Sequence, residues 1–436
     1  MVTREDILKL VAQYIDEKHT AKTWTPGIDW VQYAGPYFSN DEYVRSIDSL
    51  LKEWLVLGND ATHFEQRFPP LLGKTNGVVV NSGSSANLLM MAAMSAGHHY
   101  KPERKVIVPV AGFPTTLNPI LQMGHTPVFV DIELDTLNLN LDQVESQASL
   151  SNYLTFAHVL GNPPDMVRVM AVVNKYHLTL LEDCCDALGS TYMGKPLGGF
   201  GRFATCSFYP AHHITMGEGG FVACNNPEDE KILRSLREWG RGCYCVGKKA
   251  GLSTKGTCGC RFKNWLPSLP DEIFDHKYVY DQIGYNMKPM ELQCSMGLAQ
   301  LDKLDSICFM RRANHARLTK IFEPYAEFFH IHRATQFSDP SWFAFPITVR
   351  DGAPFKRSQF TQYMEDNKIQ TRNYFGGNLL LQPAYRHLDE THDAHTRYPV
   401  ATKVTTDTLF LGTSPVITPP QLDYIEEVVT NFFNNL

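Results

Sequence analysis

The sequence predicts an α/β fold with a mostly parallel central sheet and a smaller C-terminal α+β domain. Three observations lead there. From about Asn81 onward, short apolar runs at residues 105–110, 127–132, 153–159 and 178–181 read as buried strands. A turn or amphipathic stretch follows each, and strands that alternate with helices pair in parallel and are covered on both faces. The chain has 436 residues, more than a single hydrophobic core accommodates, so a second unit is expected. We expect an N-terminal helical segment over 1–30, a large α/β domain over 31–300 and a small α+β domain over 301–436.

Each element has its own signal. Thr3-Arg4-Glu5-Asp6 has the form of a helix start, with Ile7, Val11 and Ile15 at helical spacing behind it. That opening is not a secretory signal, and no apolar stretch reaches spanning length, so a cytoplasmic protein without a membrane partner is expected. The run Asn81-Ser82-Gly83-Ser84-Ser85-Ala86-Asn87 leads into a helix over 88–96. Residues 291–322 place Leu298, Leu301, Leu304 and Cys308 on one face and predict a single long helix between the domains. Residues 242–270 have glycines, cysteines, lysines and prolines but no period. A loop that long inside a compact domain is functional or disordered, and its four cysteines favour function.

Composition narrows the partners. The net charge is −6 with no Lys/Arg run, which argues against nucleic acid and anionic membrane surfaces. Ten cysteines in a reducing compartment do not form a disulfide framework. Six of them, Cys184, Cys185, Cys243, Cys245, Cys258 and Cys260, crowd into one region and point to metal or redox chemistry.

Ligands of α/β sheets sit beyond the carboxyl ends of the strands, and three such places carry suitable residues. At Gly83, Ser84 and Ser85, free backbone N–H groups and hydroxyls suit a phosphate, although a plain serine-rich helix cap has the same form. In Glu182-Asp183-Cys184-Cys185-Asp186-Ala187, an aspartate could pair with a protonated pyridine nitrogen, or simply end the strand in a solvated turn. The third place is Ser207-Phe208-Tyr209-Pro210-Ala211-His212-His213-Ile214-Thr215-Met216-Gly217-Glu218-Gly219-Gly220.

Together, in this order, the motifs Ser-Gly-Ser-Ser-Ala, Gly-Phe-Pro-Thr-Thr, Glu-Asp-x-x-x-Ala, Ser-Phe and Glu-Gly-Gly give the chain a resemblance over nearly its whole length. It resembles the sugar aminotransferase/dehydrase family (DegT/DnrJ/EryC/StrS) of fold-type I B6 enzymes. In that family a lysine four residues after Ser-Phe forms the internal Schiff base; here the position is His212, and no lysine occurs between Lys195 and Lys231. Imidazole cannot form a Schiff base but moves protons near neutral pH. A satisfied structural histidine, in a catalytically silent sugar-nucleotide-binding relative, is the bland alternative; His213 is the second candidate base. The resemblance further implies that Phe113 stacks on the pyridine ring and Asp183 pairs with its nitrogen. It places Ser207 on the phosphate and Asp186 and Tyr209 close to the ring. It also implies that Asn286 reaches the phosphate in a second subunit, hence a homodimer.

Two subgroups use histidine. One dehydrates GDP-4-keto-6-deoxymannose without iron; the other acts on a CDP-linked 4-keto-6-deoxyglucose and carries a 2Fe–2S cluster. The strings Glu-Asp-Cys-Cys-Asp-Ala-Leu-Gly-Ser-Thr-Tyr and Trp239-Gly240-Arg241-Gly242-Cys243-Tyr244-Cys245 resemble the second. Its first three cluster ligands have the spacing found here, 57 residues (243 − 185 − 1) between Cys185 and Cys243, then one before Cys245. The subgroup's fourth ligand follows after seven residues; here Cys258 follows after 12 (258 − 245 − 1), with Cys260 the competing choice. Four thiolates also suit zinc. The resemblance implies pyridoxamine 5′-phosphate as cofactor, with proton removal by His212 and loss of the hydroxyl at carbon 3 of a nucleotide-linked 4-keto-6-deoxyhexose. Reduction would yield a 3,6-dideoxy sugar of the lipopolysaccharide O-antigen type. No flavin or nicotinamide fingerprint is present, so the electrons should come from a separate flavin and iron–sulfur reductase fed by NAD(P)H.

Overall fold

The computed structural model describes residues 1–96, 103–243 and 261–436. Seven strands build the central sheet: β1 (Asn76–Val80), β2 (Lys105–Pro109), β3 (Thr126–Val130), β4 (Tyr153–Ala157), β5 (Thr179–Asp183), β6 (Phe203–Ser207) and β7 (Gly220–Cys224). Their spatial order is β1-β7-β6-β5-β4-β2-β3, and only β7 runs antiparallel to its neighbours. The four apolar runs of the sequence fall on β2 to β5 within two or three residues.

Both faces of the sheet are covered, as continuous apolar strands require. Val79, Ile107, Leu154 and Leu180 face one core; Val78, Val80, Val106, Val108 and Leu181 face the other. In the first core Phe64 and Phe68 stack 5.3 Å apart and meet Phe208 and Phe221 edge-on or tilted. Each such ring contributes roughly 1.5–3 kcal/mol by leaving water, and Phe208 carries this anchorage directly to the neighbouring Ser207. Cys184, Cys206, Cys224, Cys294 and Cys308 are buried as core side chains.

The N-terminal helix Arg4–Thr20 starts on a capping box, with the Thr3 hydroxyl accepting from the Asp6 N–H and the Asp6 carboxylate accepting from the Thr3 N–H. Of its apolar stripe only Ile15 is fully buried. The helix expected over 291–322 is two helices, Glu291–Leu301 and Leu304–Phe322. Their shared face is buried as the periodicity required, but Lys303 adopts ψ 2° and interrupts the run. Asp302 turns outward there to Arg45 and Arg67, whereas Lys303 reaches in to the buried Glu42. Beyond it, Phe329–Ile331, Ala344–Val349, Thr408–Gly412 and Arg372–Asn373 form an antiparallel four-stranded sheet, in that order. No helix among the described residues is long and apolar enough to cross a membrane.

Candidate active site

A cleft of about 950 Å³ opens at the carboxyl edge of the central sheet. It lies where the loops after β1, β2, β4, β5 and β6 meet the small sheet.

The serine-rich turn forms one end. Its helix runs Gly83–Ser95, earlier than the sequence periodicity suggested, because Ser82 is the cap and accepts from the Ser85 N–H at 3.0 Å. The N–H groups of Gly83, Ser84 and Ser85 therefore occupy the first turn, where a helix favours an anion. Gly83 lies against Ser207, and a Cβ there would come within 2.5 Å of the Ser207 Cβ and 3.2 Å of the Cys185 Sγ. Glycine is what lets helix, Ser207 and Cys185 close on the same point.

At the end of β5 successive side chains part company. Glu182 turns into the protein: His158 Nε2 lies 3.0 Å away, and the N–H groups of Gly198 and Phe200 donate to it. Burial raises its pKa, but these partners outweigh that and hold it below the usual range. Glu182 thus pins the 198–201 loop. With Cys184 and His158 it makes the only clustered metal-donor set among the described residues, wholly buried and away from the cleft. Asp183 instead lines the cleft. Its Oδ2 accepts from Asn87 Nδ2 and Thr116 Oγ1, both at 2.8 Å, and its Oδ1 from the Cys185 N–H at 3.1 Å. Thr205 in turn donates to Asn87 at 2.6 Å. A buried carboxylate held in this way is kept in one orientation, as a partner for a ring N–H must be.

His212 lines the same cleft from the loop between β6 and β7. Its Nδ1 stands 3.5 Å from Asp186 Oδ1, and its ring centroid 5.2 Å from that of Phe343. Burial, then the Arg311 charge, pushes the imidazole down to about 3. Burial and the neighbouring Asp183 carboxylate push Asp186 up to about 7. Arg311, on the helix Leu304–Phe322, is itself buried and has carbonyl oxygens as its acceptors. It donates to Ala211 at 3.1 Å, to His212 at 3.0 Å and to Phe343 at 3.0 Å. Burial lowers its own pKa to about 10. The side chain clamps the backbone that carries His212. His213 faces away, its Nε2 2.7 Å from the Ser341 carbonyl oxygen, and it does not line the cleft.

Phe113 and Tyr209 are half-exposed at the cleft wall, Phe113 edge-on to Phe375 with centroids 5.9 Å apart. Cys185 and Asp186 also line it. Asn286 and Cys243 do not. Asn286 pairs with Glu238 in an antiparallel bridge, and the adjoining Arg241–Tyr280 bridge leads to Cys243, which is half-buried. Close by, the Lys288 ammonium sits 3.5 Å over the Trp239 ring, with burial lowering its pKa to about 8. Cys245, Cys258 and Cys260 lie outside the described residues.

The sequence reading missed Arg311, Tyr33 and Arg372. Arg311 had a signal: it shares the buried stripe of Leu304, Ile307, Cys308, His315 and Leu318, where an arginine demands partners. Tyr33 and Arg372 had none, because tertiary structure alone brings them together.

A mostly parallel sheet, a helix N-terminus and strand-end aspartate at one cleft, and a small C-terminal sheet closing it define a fold-type I B6 enzyme. The chain belongs to the DegT/DnrJ/EryC1/StrS aminotransferase family, whose profile matches residues 38–430. It is 39% identical over 441 residues to the lipopolysaccharide biosynthesis protein RfbH of Salmonella typhimurium, covering 99% of this chain and 98% of that one. It is 37% identical over 435 residues to a dTDP-4-dehydro-2,6-dideoxy-D-glucose 3-dehydratase of Saccharopolyspora spinosa, covering 98% and 92%. Among solved structures, E. coli GDP-4-keto-6-deoxy-D-mannose-3-dehydratase with bound hydrated PLP matches with a TM-score of 0.79 at 26% identity, covering 92% and 99%.

Proposed function

We propose that the protein is a pyridoxamine 5′-phosphate- and 2Fe–2S-dependent 3-dehydrase of a nucleotide-linked 4-keto-6-deoxyhexose, CDP-linked by resemblance, on the route to a 3,6-dideoxy sugar. The observation that carries this reading is the cleft's proton-moving side chain: His212 stands at the Schiff-base position of the family pattern, and no lysine is among the described lining residues. The names of relatives at 37–39% identity, a 3-dehydratase and a lipopolysaccharide biosynthesis protein, support it.

The cleft's residues fit the cofactor. Ser207, the N–H groups of Gly83 and Ser84 and the Ser85 hydroxyl suit its phosphate, the oriented Asp183 carboxylate suits a ring N–H, and Phe113 offers an aromatic face. When bound, the cofactor supplies an amine for the substrate's ketone and an electron sink. The protein does the rest. His212, neutral at working pH, takes a proton; the Asp186 carboxylate 3.5 Å from its Nδ1 balances the imidazolium; and the same proton goes to the departing hydroxyl at carbon 3. Cys185, at the cleft wall, would join Cys243, Cys245 and Cys258 in holding the cluster, whose chemistry is single-electron transfer. We assign the electron supply to a separate NAD(P)H-fed flavin and iron–sulfur reductase. Asn286, away from this chain's cleft, serves a partner's phosphate in a cytoplasmic homodimer.

The second reading is an iron-free dehydratase whose cysteines bind zinc or nothing, favoured by the likeness to the GDP-4-keto-6-deoxymannose enzyme. A single experiment separates the two. Anaerobically purified protein is assayed with pyridoxamine phosphate on CDP-, GDP- and dTDP-4-keto-6-deoxy sugars, with and without a reductase. A brown protein that forms 3-deoxy product only with the reductase supports the first reading. A colourless protein that forms that product unaided refutes it.

A further inference from the structure

We propose that Arg372, stacked on Tyr33 at the cleft wall opposite the serine-rich turn, receives the diphosphate of the nucleotide sugar. This rests on the sugar-nucleotide reading above. The cleft's volume, about 950 Å³, exceeds what one substituted pyridine ring and its phosphate fill, and the residues suited to those lie on the strand-edge side. The facing wall comes from elsewhere, from Tyr33, which lies just after the N-terminal segment, and from Arg372, Phe375 and Phe410 of the small domain.

Charge on the lining is lopsided. Among the described residues of the lining, Asp183, Asp186 and Glu218 supply three carboxyl groups, whereas Arg372 is the one permanent cation. A doubly charged diphosphate entering this space has, among the described residues, a single complementary side chain on the substrate side. Nor is that charge already neutralised. Arg372 donates to the Thr371 carbonyl oxygen at 2.7 Å and lies 4.2 Å from the Tyr33 ring centroid, and it forms no ion pair among the described residues. A guanidinium has five N–H donors in a planar fork that matches phosphate oxygens. Stacking on an aromatic ring fixes that plane.

The seat is pre-built. Val31 exchanges backbone hydrogen bonds with Lys368 and Gln370, and the Tyr33 N–H donates to the Gln370 side chain at 3.2 Å. Arg372 pairs with Phe410 in the small sheet. A Cβ at Gly412 would lie 1.7 Å from the Tyr33 carbonyl oxygen, so this approach depends on glycine there.

The test is calorimetric titration of the pyridoxamine-phosphate-loaded enzyme, wild type, Arg372→Gln and Arg372→Lys, with CDP, GDP, dTDP and the matching nucleosides. The diphosphate that the wild type binds best should bind Arg372→Gln roughly 10- to 100-fold more weakly, the range for one charge-assisted contact. Arg372→Lys should retain part of the affinity, nucleoside binding should not change, and bound cofactor should stay at wild-type level. Undiminished diphosphate affinity in a folded Arg372→Gln would overturn the proposal and leave the function standing. So would loss of the cofactor from that variant, which would place Arg372 on the wrong phosphate. If the wild type itself binds no nucleoside diphosphate, the sugar-nucleotide reading fails and this proposal with it.

Discussion

Replacing Arg311 by methionine separates a residue that positions the base from one that merely fills the core. The guanidinium makes three hydrogen bonds of ordinary length to carbonyl oxygens, at 3.0, 3.1 and 3.0 Å. At about 1.5–3 kcal/mol for each bond from a charged donor, they contribute roughly 5–9 kcal/mol. Burial opposes them. A pKa brought from 12.5 to about 10 corresponds to a cost of about 3 kcal/mol at 1.36 kcal/mol per tenfold change. The difference is about 2–6 kcal/mol, and methionine's packing places the expected loss near the lower end. Urea denaturation at fixed protein concentration, followed by circular dichroism, measures it. The same variant should exchange oxygen label from solvent water into the carbon 3 hydroxyl of a 4-keto sugar at least tenfold more slowly, because the His212 backbone has lost its clamp. Arg311→Lys should recover part of the stability but little of the rate. Arg311→Met within 0.5 kcal/mol of wild type and exchanging at the wild-type rate would refute the reasoning.

The other predictions concern the cleft and the cysteines. His212→Asn should retain pyridoxamine phosphate yet lose exchange, and His212→Lys should trap pyridoxal phosphate in a borohydride-reducible adduct; wild-type exchange in His212→Asn would show another base. Because burial and Arg311 bring His212 down to about 3, the imidazole is neutral above pH 5. The exchange rate should then follow the ionisation of Asp186, which burial and Asp183 bring up to about 7, and an acid-side inflection that persists in Asp186→Asn would contradict this. Gly83→Ala should lower cofactor affinity at least tenfold in a dialysis assay, since its Cβ meets Ser207 at 2.5 Å; wild-type retention would mean the turn is only a cap. Iron and sulfide analysis should find the cluster lost in Cys185→Ala, Cys243→Ala, Cys245→Ala and Cys258→Ala, and kept in Cys260→Ala. Cluster retention in the first three would sink the ligand assignment.

The buried strands were legible because both faces of a covered sheet need apolar side chains, and a run of such residues admits few other readings. That the turns after β1, β5 and β6 line one cleft was legible for a related reason: each is a contiguous stretch beside the strand that presents it. What periodicity blurred was where helices stop. Ser82 moved one start forward by capping it, and the backbone break at Lys303 split a helix whose apolar face never lapses. The division of labour between Glu182 and Asp183 was hidden, since adjacent carboxylates look alike until the strand sends one to the core and the other to the cleft. Arg372 and Tyr33 stayed invisible for want of any local pattern.

β7 is the strand that runs the other way, and this shapes what the enzyme could become. Ser207 and Gly220 are register partners in neighbouring strands, so the loop that bears His212 leaves the sheet and returns to it at one point. Just above, the Phe208 N–H donates to Gly219 at 2.8 Å and the Met216 N–H to Phe208 at 3.0 Å. A loop drawn shut at its neck has little conformational entropy left to lose and passes little strain to the strands below. Exchanging lysine for histidine at its tip can therefore leave the frame unmoved. Amine capture and proton shuttling become neighbouring options, one side chain apart on the same frame, and a lineage could pass from transamination to dehydration without passing through an unfolded intermediate.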